Sequence, residues 1–168
     1  MCNVVAGLIC DPEAVSIAHK TEEGAQFTMR IGGKVTSSSG DPSDFKVVVE
    51  RIYKDITLPV PSRIAAVPCD AAVVRCGEAE IVLTSKRINA AGLQPIEMLG
   101  LDPKNKQYVL LKYCSGFDND DDGWFDDITL TAPANFSSLS NFPFSRVVKP
   151  KWPWNETPFD ISGENGEQ

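Results

Sequence analysis

Short apolar runs separated by turn-forming residues set the pattern of most of this chain, and they predict strands with a few short helices between them. Residues 3–10 (NVVAGLIC) are continuously apolar and lean to strand, ending at Asp11-Pro12-Glu13. Asp is a good helix N-cap, Pro suits the first helical position, and Glu favours the positive end of the helix dipole. Ala14, Val15, Ala18 and His19 recur at helical spacing, so the strand should run directly into a helix closed by Gly24. Residues 25–31 alternate as a strand before Gly32-Gly33, and residues 36–43 (TSSSGDPS) read as a surface loop. Residues 45–53 (FKVVVERIY) form a strand with a polar alternate face, and Pro59, Pro61 and Pro68 mark an irregular connection. Residues 71–75 and 79–85 flank Cys76-Gly77-Glu78 as the best hairpin signal in the chain. A short helix over 95–101 leads through Asp102-Pro103 to a strand at Tyr108-Val109-Leu110-Leu111, with a further strand at 128–131. This alternation predicts a single α/β or α+β domain over residues 1–160, with a mixed central sheet. Beyond Pro133 the chain is loop-rich, residues 149–154 (KPKWPW) should lie extended, and residues 161–168 read as a disordered tail.

Charge is concentrated in one place. The net charge is −7, and six aspartates fall between Asp118 and Asp127. Carboxylates this close repel, so such a loop either frays into water or gathers a cation. Asp118, Asp120, Asp122 and Asp126 fall at positions 1, 3, 5 and 9 of a calcium-type loop, with Gly123 at the sharp turn. Hard oxygen donors of this kind suit calcium over zinc or copper. Position 12 is Thr129 rather than a bidentate Glu, and strands rather than helices flank the loop, so it resembles the DxDxDGxxD loops of integrin-type repeats rather than an EF-hand. The competing reading is a solvated acidic turn.

Composition narrows the classes. At 168 residues, 42% hydrophobic and 23% charged, the chain has an ordinary globular balance. No run matches a membrane span or a secretory leader. An acidic pI near 4.7 without a basic stripe argues against nucleic-acid partners. The five cysteines are scattered with no CxxC pair, as expected of free thiols in a cytoplasmic protein. No phosphate loop or dinucleotide fingerprint is present.

Several stretches in order — AGLICDPEAVSIAH, IGGK, LTSKR, LGLDP with VLLK, and PFSRVVKPKWPW — resemble the C-terminal domain of the MlrC family. These are zinc metallopeptidases known for degrading linearised microcystin. The resemblance implies that the metal-binding aspartate and histidines belong to a large N-terminal domain. His19, the only histidine here, is read as a polar edge residue or a dipole partner at its helix end, and one histidine cannot build a His-rich zinc site. Where the family follows its VLK strand with a serine-rich turn and His-Phe-Arg, this chain has Gly116, Phe117 and Asp118.

Three functions fit. The first is a stand-alone, diverged domain without catalytic zinc or nucleotide, binding a small molecule and performing cyclase- or isomerase-type chemistry. Its ligand-binding candidates are Asp11, Glu13, Arg87, Lys112, Tyr113 and Trp124, with Lys112, Tyr113 and Arg87 as the catalytic candidates. The second is an accessory or regulatory domain, or a fragment, of an MlrC-type metallopeptidase, with catalysis supplied by a separate N-terminal-type chain; a homodimer is the other assembly expected. The third is a calcium-stabilised binding module without chemistry.

Overall fold

The computed structural model describes residues 3–36, 39–59, 66–88 and 92–111. In chain order these form β1 (Val4–Cys10), α1 (Pro12–His19), β2 (Gln26–Ile31), β3 (Ser43–Leu58), β4 (Val67–Cys76), β5 (Ala79–Thr84), α2 (Gln94–Met98) and β6 (Tyr108–Leu111). All six strands join one mixed sheet in the order β2-β3-β4-β5-β1-β6. Strands β2 to β5 are an antiparallel meander, whereas β1 runs parallel to β5 on one side and to β6 on the other. A single mixed sheet with few short helices makes the class α+β.

Each face of the sheet has its own core. Ala14, Val15 and Ala18 of α1 pack with Met29, Val47, Val49, Ala72, Val74, Ile81 and Leu83. On the other face, Ile96, Leu99 and Leu101 pack with Val5, Leu58, Cys69, Ala71, Val73 and Val82. Successive β4 residues therefore serve opposite cores, which is why the strand reads as an unbroken apolar run. Gly7 of β1 is a packing requirement: a Cβ there would sit 2.8 Å from the Val82 Cβ.

The N-terminal strand and helix match the sequence pattern, as do the two-residue Gly77-Glu78 turn of the hairpin and the strand at Tyr108. Three expectations need correction. The first helix stops at His19, well before Gly24, because Lys20 and Thr21 turn back onto it: the Thr21 hydroxyl and N–H both donate to the Ala18 carbonyl. The third strand runs past Tyr53 to Leu58. A register shift between Tyr53 and Ile56, with Asp55 at φ 50°, breaks the alternation that would have revealed it. Pro68 lies within β4, paired with Thr57, rather than in the connection. The last β5 residue, Thr84, meets Ala71, so β4 has no β5 partner at Pro68 and tolerates the missing N–H.

The second helix is short, Gln94–Met98, and relies on tertiary contacts. Arg51 Nη1 donates to the Leu99 and Gly100 carbonyls, and Tyr53 Oη donates to Leu99 at 2.8 Å, so the sheet satisfies the carbonyls that follow the helix. No helix among the described residues is long and apolar enough to cross a membrane.

Candidate functional site

The parallel strands β5, β1 and β6 end in the same direction, and their C-terminal ends are the candidate site. The chain leaves β1 through α1 over one face and leaves β5 through α2 over the other. Connections that diverge in this way leave a crevice beyond the strand ends, where ligands of layered sheet proteins commonly bind. The two ends are tied together, since Asp11 N–H donates to the Thr84 carbonyl at 2.9 Å.

Asp11 is fully buried. Its Oδ1 accepts the Ala14 N–H at 3.0 Å, which is the helix cap expected from the sequence, and its Oδ2 accepts the Gly32 N–H at 2.9 Å. Lys34 Nζ lies 3.1 Å from Oδ2 and also reaches Glu13 Oε1 at 3.3 Å and the Arg30 carbonyl at 2.7 Å. A buried carboxylate needs this density of donors to offset its lost hydration. Gly33 makes the arrangement possible: at φ 65°, a Cβ there would collide with the backbone of Asp41 and Pro42. Thus the DPE and IGGK stretches, about twenty residues apart, form one internal cluster. Asp11 acts as its positioning centre, while Glu13 presents a largely exposed carboxylate at the start of α1.

Beyond β5 the turn carrying Arg87 is pinned from several sides. Thr84 Oγ1 donates to the Lys86 carbonyl at 2.9 Å, Ser85 N–H donates to the Asp70 carbonyl at 2.8 Å, and Asp70 N–H donates to Ser85 Oγ at 2.9 Å. Ile88 is buried just after it. Lys86 and Arg87 are both exposed between these anchors. Cys69 lies buried nearby. Burial pushes its thiol above the usual range while the Lys86 charge works the other way, so the thiol stays protonated.

Asp11 and Glu13 follow the end of β1 and Arg87 follows the end of the parallel strand β5. Lys112, Tyr113, Trp124 and the calcium candidates Asp118, Asp120, Asp122 and Asp126 lie outside the described residues. Lys34, Thr84 and Lys86 were not singled out from sequence. The available signals were the Gly32-Gly33-Lys34 turn and the paired cations after an apolar strand, but neither reveals its partner along the chain.

The groups that could ligate zinc among the described residues are otherwise engaged or dispersed. His19 Nε2 donates to the Ala71 carbonyl at 3.1 Å, anchoring the end of α1 to β4. Asp11 already has its donors, and no group of three or more His, Cys, Asp or Glu residues is placed to hold a metal among the described residues.

Residues 2–132 match the family described as MlrC C-terminus. The chain belongs to the MlrC C-terminus family. Microcystinase C of Sphingomonas sp is 29% identical over 109 residues, covering 63% of this chain and 21% of that protein. A crystal structure of a Mesorhizobium sp. BNC1 protein assigned as a metallopeptidase shares the fold, with a TM-score of 0.70 at 22% identity over 94% of this chain. That match covers 32% of the solved chain, so this MlrC-type chain spans only a minor part of both longer proteins.

Proposed function

We propose that this chain is the ligand-receiving, non-hydrolytic part of an MlrC-type metallopeptidase arrangement. The edge formed by the ends of β5, β1 and β6 takes a peptide-like small molecule. The hydrolytic metal is held by a region corresponding to the remaining length of the relatives. The observation that carries this reading is the Asp11–Thr84 tie between two parallel strands whose connections leave over opposite faces, with charged groups of both signs around it. Two further features support it. His19 is engaged in holding α1 to the sheet, and the two relatives extend well beyond the part this chain matches. Cys69 and Cys76 are free thiols, in keeping with a reducing cytoplasmic setting. Of the residues that would carry cyclase- or isomerase-type chemistry, Lys112 and Tyr113 lie outside the described residues and Arg87 is exposed on the turn after β5.

The test is complementation. The purified chain with added zinc should leave a linear peptide uncleaved, and cleavage should appear on mixing with the metal-bearing region of an MlrC-type metallopeptidase stripped of its own C-terminal domain. Sustained zinc-dependent turnover by this chain alone would overturn the proposal, as would failure to support cleavage in the mixture.

A further inference from the structure

Resting on that reading, we infer that Lys86 and Arg87 form a carboxylate subsite on the β5–β1 edge, so that the ligand is an anionic, peptide-like molecule. Several cations elsewhere in the described fold are held in ion pairs, Arg30 with Asp44, Lys34 with Asp11 and Glu13, Arg75 with Glu50, and Lys106 with Glu80, whereas Lys20, Lys46 and Lys54 stand singly without one. Lys86 and Arg87 stand side by side, exposed, with no ion-pair partner among the described residues. Asp70, which its contacts with Ser85 bring beside this turn, uses its Oδ1 to accept the Asp55 N–H at 2.9 Å.

An exposed pair of cations on a loose loop would carry little meaning, because ordering long side chains offsets most of the gain from pairing. Here the main chain beneath them is already fixed. The Thr84 hydroxyl holds the Lys86 carbonyl, Ser85 is bonded to Asp70 through both its N–H and its hydroxyl, and Ile88 is anchored in the sheet core region. A turn ordered before binding lowers the entropy lost when a ligand arrives. Arginine supplies a planar fork that matches a carboxylate, and lysine adds a second charge.

The experiment uses the full chain and a fluorescein-labelled linear peptide in three forms: free acid, C-terminal amide, and free acid with its Glu side chains replaced by Gln. Anisotropy titrations are run against the native chain, Lys86→Glu, Arg87→Glu and the double variant, with melting curves confirming that each exposed substitution leaves the fold intact. The native chain should bind one carboxylate-bearing form at least about tenfold more tightly than the form lacking that carboxylate, and charge reversal should abolish the preference. Loss on amidation identifies the C-terminal carboxylate as the bound group, whereas loss on Glu replacement identifies a side chain. Equal binding of all three forms, or binding indifferent to both reversals, overturns the subsite while leaving the receiving edge standing. Absence of binding by every form overturns the receiving edge, and the subsite with it.

Discussion

A carboxylate with no exposed surface persists at Asp11 because two backbone N–H groups and the Lys34 ammonium converge on it. Removing it takes away a helix cap and leaves Lys34, itself mostly buried, short of its main counter-charge. Asp11→Ala should therefore cost about 3 kcal/mol of stability, read from urea midpoints. Glu13 touches the same lysine from an exposed position, so Glu13→Gln should change stability by no more than about 0.5 kcal/mol. Equal effects for the two substitutions would show that burial does not govern this cluster. The sequence made the capping role of Asp11 readable, since Asp-Pro-Glu before a helical pattern is a local signal. Its second role was hidden, because nothing local in IGGK says that its glycine N–H and lysine return to a residue about twenty positions earlier.

At the scale of elements, close approach governs β1 and β5. Gly7 leaves room for Val82 where any side chain would intrude. Gly7→Ala should cost about 1–3 kcal/mol through overpacking. Combining it with Val82→Ala should destabilise less than the two changes summed, since the second opens space for the first; full additivity in a double-mutant cycle would refute the contact. Elements were legible where one signal decided them, as in β4 and β5, whose apolar runs flank a two-residue glycine turn. They were less legible where tertiary structure overrode the local pattern. In β3 the irregularity between Tyr53 and Ile56 shifts the alternation, so Lys54 to Leu58 no longer look like a continuation of the same strand. In β4, Pro68 reads as a breaker until the short reach of β5 is known.

For the whole molecule, the sheet separates two cores with different coverings, α1 on one side and the α2 region on the other. Val15 and Ile96 belong to opposite cores and share no cluster. Val15→Ala and Ile96→Val should thus add to within about 0.5 kcal/mol when combined, measured by chemical denaturation. A larger coupling would mean that the sheet transmits packing strain between its faces. The mixed-sheet class followed from the alternation of runs in the sequence. The candidate edge followed only in part, because its geometry depends on strands brought together from residues 4–10, 79–84 and 108–111.

The position of β1 has a consequence for how the molecule forms. Strand β1 sits in the interior of the finished sheet, and its two neighbours are made roughly 75 and 104 residues later, as the Val4–Ala79 and Val4–Tyr108 pairings require. Until then the β2–β5 meander can zip up locally while β1 waits with its hydrogen-bonding groups unpaired. Closing such long-range parallel contacts is entropically slow. Nascent chains should therefore acquire their last cooperative protection in β1, which makes this strand the one in the sheet that most needs shielding during synthesis.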